Sequence, residues 1–142
     1  MAIRTPEPGL VISYAYLWNH EAQSGQVEGR KDRPCVSALA VQRERDGETW
    51  VTVLPVTHTS PNHAESAVEI PLSIKQHLGL DDARSWVIVS EGDKFVWPGY
   101  DLRKARGDRY DYGFLPPRFF NNVLNVFRAW HKAHKVKLTP RD

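Results

Sequence analysis

The sequence predicts a mainly β, α+β domain: a compact barrel or sandwich of short strands, one small helix, and an amphipathic helix near the C-terminal end. Three observations predict it. Apolar runs rich in β-branched and aromatic residues recur at short intervals, as in GLVISYAYLW from Gly9, PCVSALAVQ from Pro34 and TWVTVLPV from Thr49. Turn residues punctuate these runs, notably Asp46-Gly47 and Gly92-Asp93. Near the end the periodicity changes, and Phe120, Val123, Leu124, Phe127 and Trp130 fall on one face of a helix. A chain of 142 residues, 41% apolar and 25% charged, has the size and composition of one globular domain. No repeat, low-complexity tract or linker divides it, so one domain over residues 1–142 is expected.

In chain order, Gly9 to Trp18 reads as a strand. Asn19 to Arg33 is polar, holds Gly25 and Gly29 and lacks periodicity, so it reads as a long loop. Pro34 to Gln42 and Thr49 to Val56 read as an antiparallel hairpin about Asp46-Gly47. Thr57 to Ser66 is a second loop. Ala67 to Leu72 is a short strand whose Pro71 suits an edge. Ser73 can cap a one- to two-turn helix over Ile74 to Leu78, stopped by Gly79. Ser85 to Glu91 and Lys94 to Trp97 read as strands joined by Gly92-Asp93. Tyr100 to Leu115 is basic and rich in tyrosine, with weak periodicity. Pro116 and Pro117 open the terminal helix, about 117–135, where proline is tolerated. Its aromatic stripe reads as core packing, and Lys132, His134 and Lys135 complement the dipole at its C-terminal end.

Composition and motifs exclude several classes. The single cysteine, Cys35, cannot form an internal disulfide, lies in an apolar run, and reads as a small buried side chain rather than a catalytic thiol. No stretch approaches a membrane span or a secretory signal, so no membrane partner is expected and the cytoplasm follows by default. Phosphate-binding loops, dinucleotide fingerprints and nucleophile elbows are absent. The six histidines show no recognised zinc-site spacing, so neither metal nor cofactor is expected. The formal charge of +2 is modest, but Arg30, Lys31 and Arg33 cluster in one loop and Arg103, Lys104, Arg106 and Arg109 in another. Such clusters contact phosphates or simply solvate loops.

The segment from Gly9 to Val41 resembles the start of PemK/MazF toxins of type II toxin–antitoxin systems. It has Gly9-Leu-Val-Ile, then Glu28-Gly29, then Arg33-Pro34 leading into an apolar strand. The next family element, an apolar strand ending in Pro-x-Thr, is similar to Val51-Thr-Val-Leu-Pro55-Val56-Thr57. Val68-Glu-Ile-Pro71, Gly79-Leu80 and Trp86-Val-Ile-Val-Ser-Glu91 follow in family order, so the likeness covers roughly residues 9–98. It implies an SH3-like barrel with appended helices, a homodimer, cleavage of single-stranded RNA without a metal, and inhibition by a cognate antitoxin. The alternative is a non-catalytic SH3-like module that binds nucleic acid or a protein partner.

Such cleavage deprotonates a 2′-hydroxyl, stabilises a five-coordinate phosphate and protonates the leaving 5′-oxygen; the 2′-hydroxyl restricts it to RNA. Arg33 suits the electrostatic role because a guanidinium stays charged and grips two phosphate oxygens. Its plainer reading is a surface arginine opening a strand. Thr57 could donate its hydroxyl to the same phosphate, or simply cap its strand. Glu28 is a candidate base or an orienter of Arg33, His58 a candidate acid or base, and Glu91 matches the family's later acid. Each of these three also reads as a solvated polar side chain. Trp97, Tyr100 and Arg103, with Arg30 and Lys31, are candidate RNA contacts through stacking and phosphate pairing, or else dimer packing. The sequence departs from the family where an arginine two residues before the later acid is Val89, and a glutamine after it is Gly92.

Overall fold

The computed structural model describes residues 7–29 and 31–141. Apolar runs, rich in β-branched residues, build β1 (Leu10–Tyr14), β2 (Arg33–Gln42) and β3 (Thr49–Thr57), which lie side by side in antiparallel register, Val11 opposite Val36 and Cys35 opposite Pro55. β4 (Ala67–Glu69) and β5 (Trp86–Ile88) extend the sheet from the C-terminal end of β3, while β6 (Glu91–Val96) pairs with its N-terminal half. On the far side of β1 lie β7 (Leu102–Arg103) and β8 (Asp111–Phe114). The last strand, β9 (Lys137–Pro140), runs parallel to β6; every other pairing among the described residues is antiparallel. Among the described residues three α-helices complete the fold: α1 (Asn19–Gln23), α2 (Leu72–Leu78) and α3 (Pro117–His134).

Both faces of the sheet are buried. One, with Val11, Val36, Leu54, Val56 and Val87, packs against α2 and α3, and the fully buried Val123 anchors the α3 stripe there. The other carries Leu10, Ile12, Tyr14, Cys35, Val53 and Phe95. Tyr14 and Phe95 stack at 4.7 Å between ring centroids, a geometry that adds ~0.5–1.5 kcal/mol to their burial.

The predicted barrel does not close. The nine strands form an open sheet, and no ladder joins the chain after β1 to the β6–β9 edge among the described residues. Side chains bridge that seam instead. Asp93 Oδ2 accepts the Leu17 amide at 2.9 Å, Arg141 Nη1 donates to the Ala15 carbonyl at 2.9 Å, and Glu91 Oε1 accepts the Tyr16 hydroxyl and the Asn19 amide, each at 2.9 Å.

Other differences from expectation are local. The 19–33 segment contains α1, too short to show apolar periodicity; Glu21 Oε1 accepts the Trp18 amide at its start. Pro71, not Ser73, occupies the cap of α2, with no side-chain bond, while Gly79 ends the helix in the left-handed region (φ 72°) as expected. The strand break falls at 89–90, and β6 runs straight through Gly92-Asp93. Gly92 is there for close approach: a Cβ would lie 2.7 Å from the Val53 carbonyl oxygen. Glu91 therefore opens a strand instead of ending one. β9, short and flanked by charge, left no apolar pattern to read.

Candidate functional site

The antiparallel pairing of β2 and β3 brings the first residue of one beside the last residue of the other. Extending the register from Cys35–Pro55 by two residues sets position 33 opposite position 57. Arg33 Nη1 donates to the Val56 carbonyl at 3.2 Å, and its guanidinium carbon lies 5.0 Å from the centroid of the Trp18 ring. Trp18 in turn packs edge-on against Tyr16, whose hydroxyl is held by Glu91. A chain of contacts from Glu91 through two aromatic rings thus sets the position of Arg33.

These strand ends form one side of a cleft of about 770 Å³. Arg33, Thr57, His58, Glu91 and Lys31 all line it. The 57–66 loop, the segment after α2 and Trp130 of α3 supply the rest. Thr57 is largely buried, and its Oγ1 accepts the Thr59 amide at 3.1 Å, which turns the chain and leaves the hydroxyl hydrogen available for donation. His58 Nε2 lies 3.1 Å from Asp81 Oδ2. Below that pair Lys75, only 2% exposed, sits 3.7 Å from Asp81 Oδ1 and 3.5 Å from Ser85 Oγ. A buried ammonium needs a counter-charge, so Lys75 and Asp81 hold each other in place.

The electrostatics of the cleft are uneven. Each of its carboxylates has a protein partner: Asp81 has His58 and Lys75, Glu91 has two donors, and Asp32 lies 3.7 Å from Arg103 Nε. Arg33 has no carboxylate within 4 Å among the described residues, and its Nε is buried without a hydrogen-bond partner. The guanidinium, like Lys31 beside it, is therefore a cation in the cleft whose charge is not neutralised by pairing among the described residues, and its fork matches an anion with two acceptor oxygens.

The remaining expected residues stand elsewhere. Glu28 is exposed on the loop and does not line the cleft; Gln26 Nε2 donates to its backbone carbonyl at 2.6 Å. Trp97 packs against Phe95 at the edge of the second core, and Tyr100 is 88% exposed on the turn before β7. Arg103 reaches the rim only through Asp32. Arg30 lies outside the described residues. Val89 is fully buried in the first core, and a larger residue at 92 would strike the Val53 carbonyl, so neither position has room for a polar side chain directed at the cleft.

Other cleft residues escaped the sequence reading. Asp81, and Lys75 beneath it, belong to no motif, Trp18 read as the end of a strand, and Trp130 read as core packing. His20 and His63 also line the cleft, so the fold gathers three of the six histidines there although no two are close in sequence. Among the described residues no group of three or more His, Cys, Asp or Glu side chains is arranged to hold a metal ion, and no helix is long and apolar enough to cross a membrane. Cys35 is fully buried beneath the sheet, where desolvation raises the thiol well above its ordinary pKa, so it is not a nucleophile for this cleft. No protein-family model, curated protein or solved structure matches the chain.

Proposed function

We propose that the protein is an endoribonuclease that cleaves single-stranded RNA in the Arg33–Thr57 cleft, by metal-independent attack of a 2′-hydroxyl on the adjacent phosphorus. One observation carries this reading: a guanidinium without a carboxylate partner, a hydroxyl, and a histidine held by a carboxylate line the same cleft. The O2′–P bond forms and the P–O5′ bond breaks, leaving a 2′,3′-cyclic phosphate on one fragment and a 5′-hydroxyl on the other. Arg33 stabilises the charge that builds on the five-coordinate phosphate, the term on which such catalysis depends most. Thr57 donates its hydroxyl hydrogen to the same phosphate.

His58 is the base. The Asp81 carboxylate, 3.1 Å from Nε2, favours a proton on that nitrogen and leaves Nδ1 to accept the 2′-hydroxyl proton. His20 and His63 stand in the same cleft as sources of the proton that O5′ requires. Glu91 acts at a distance, by fixing Tyr16 and, through Trp18, Arg33.

The order of Glu28-Gly29, Arg33-Pro34 and Pro55-Val56-Thr57 supports the same reading by resemblance to PemK/MazF toxins. With that resemblance go a cytoplasmic setting, a homodimer and inhibition by a cognate antitoxin. Incubating the protein with RNA in EDTA tests the reading. Cleavage products ending in cyclic phosphate are expected, with DNA of the same sequence untouched. RNA left intact at micromolar protein contradicts it. A second reading, a module that binds RNA without cutting it, is favoured by the engagement of Glu91 in the seam and the remoteness of Glu28 from the cleft. Salt-sensitive binding of RNA that stays uncut would select that reading.

A further inference from the structure

A second cavity, of about 480 Å³, adjoins the cleft and shares His20, Ser90, Glu91 and Trp130 with it, so the two lie side by side. Its far wall is the junction between α3 and β9, where His134, Lys135 and Lys137 border the space. Trp130 stands where the two cavities meet. Its ring lies 4.1 Å from that of His134 at an interplanar angle of 34°, and 6.2 Å from that of His63. The end of the α3 stripe is thus not wholly spent on the core: it presents a group of flat rings to the two cavities.

The junction itself is held in a costly conformation. Lys135 has φ 69° and ψ 127°, and is the one non-glycine residue with positive φ among the described residues. Such a backbone persists where its surroundings over-determine it. Here the Lys135 amide donates to the His131 carbonyl at 3.0 Å, the Val136 amide to His131 Nδ1 at 3.0 Å, and the Lys137 amide to the Ser90 carbonyl at 3.1 Å. The result is a tight reversal that brings both lysines to the same cavity. Neither has a carboxylate within 4 Å among the described residues. Glu91, at the meeting of the two cavities, repels a phosphate, so a chain crossing that point would set a base there, against Trp130, and its phosphates on either side.

We infer that this second cavity is a nucleotide subsite for single-stranded nucleic acid: a base stacks on Trp130 and the following phosphates pair with Lys135 and Lys137, one step along the strand from Arg33. The inference rests on the proposed RNA reading of the cleft and extends it to a strand path several nucleotides long. Alternating cationic and aromatic groups along a groove are how single strands are held irrespective of sequence.

The test uses fluorescence anisotropy with the full chain and 2′-O-methyl oligonucleotides, which lack the attacking hydroxyl, as a dinucleotide and a hexanucleotide over a range of salt. The hexanucleotide is expected to bind roughly 10-fold or more tightly than the dinucleotide. Lys135→Gly with Lys137→Gln removes both charges while suiting the positive φ at 135. It should abolish that gain, lower the salt slope by about 1.4, and leave dinucleotide binding unchanged. Trp130→Phe should keep most of the gain, and Trp130→Ala lose it. An absent gain with length, a gain insensitive to the two lysines, or no binding of either oligonucleotide overturns the inference. RNA cleavage that depends on Arg33 while the lysine variant binds both lengths normally removes the subsite and keeps the nuclease. Lysine-dependent binding with no cleavage does the reverse.

Discussion

Arg33 and Arg141 have similar surroundings at first sight and opposite consequences. Each guanidinium donates to a backbone carbonyl and lies over an aromatic ring: Arg33 against Val56 and Trp18, Arg141 against Ala15 and Tyr14. The difference is in what else they touch. Arg141, with a side chain 3% exposed, meets Asp93 Oδ2 at 2.9 Å and Asp101 Oδ1 at 3.0 Å. Arg33 meets no carboxylate among the described residues and borders an open cleft. In the seam the charge is matched by the protein and goes into bridging the open edge of the sheet. In the cleft it is left without a carboxylate among the described residues, which is what the proposed role requires. An arginine's role here is decided by its counter-charges and its access to solvent, not by the ring or carbonyl beside it.

The largest effect should come from breaking the seam. Arg141→Ala leaves Asp93 buried without its counter-ion and should lower stability by ~3–5 kcal/mol, read as a fall in the urea midpoint. A negligible shift would mean that the open sheet does not depend on the seam. In the cleft, His58→Ala should slow RNA cleavage by at least ~10²-fold with little change in that midpoint, since His58 is more than half exposed. A loss of stability as large as that of Arg141→Ala would make His58 structural and dissolve the contrast.

A subtler effect is pH-dependent. Burial pushes the Asp93 carboxyl up from its ordinary 3.8 to about 7, although the Leu17 amide and Arg141 both favour its ionised form. Between those values the folded protein holds a proton that the unfolded chain has lost. The contribution of Asp93 to stability therefore declines as pH rises through that window and levels off above about 7. Asp93→Asn, measured by urea unfolding across the same range, should remove the decline. A wild-type-minus-variant difference that stays constant with pH would show that Asp93 is ionised throughout.

Much of the scaffold was legible in sequence because it is made of local patterns. The stripe from Phe120 to Trp130 gave α3, runs rich in β-branched and aromatic residues gave β1 to β3, and Asp46-Gly47 marked the hairpin between β2 and β3. Arg33 and Thr57 are paired through the family resemblance, and the hairpin register is what sets them together, since the ends of paired strands lie side by side. The seam was not legible. Asp93 meets Leu17 across 76 residues and Arg141 across 48, and no periodicity encodes such a meeting. Gly92-Asp93 looked like a turn because the sequence could not show the carbonyl crowding one residue or the cation awaiting the other. Asp81 and Lys75 escaped for the same reason: a carboxylate in a loop and a lysine in a short helix acquire meaning only when the fold sets them beneath His58. Trp130 was read correctly as part of an apolar face, but its place at the end of that face, beside the cleft, depends on where α3 stops.

The central claim is that the Arg33 guanidinium serves an RNA phosphate. The most direct measurement is RNA cleavage in EDTA by Arg33→Ala beside the wild type, with the unfolding midpoint of each recorded in the same buffer. The account predicts a loss of ~10²–10³-fold in rate with an essentially unchanged midpoint. Equal cleavage by the two proteins, or no cleavage by the wild type, would contradict it.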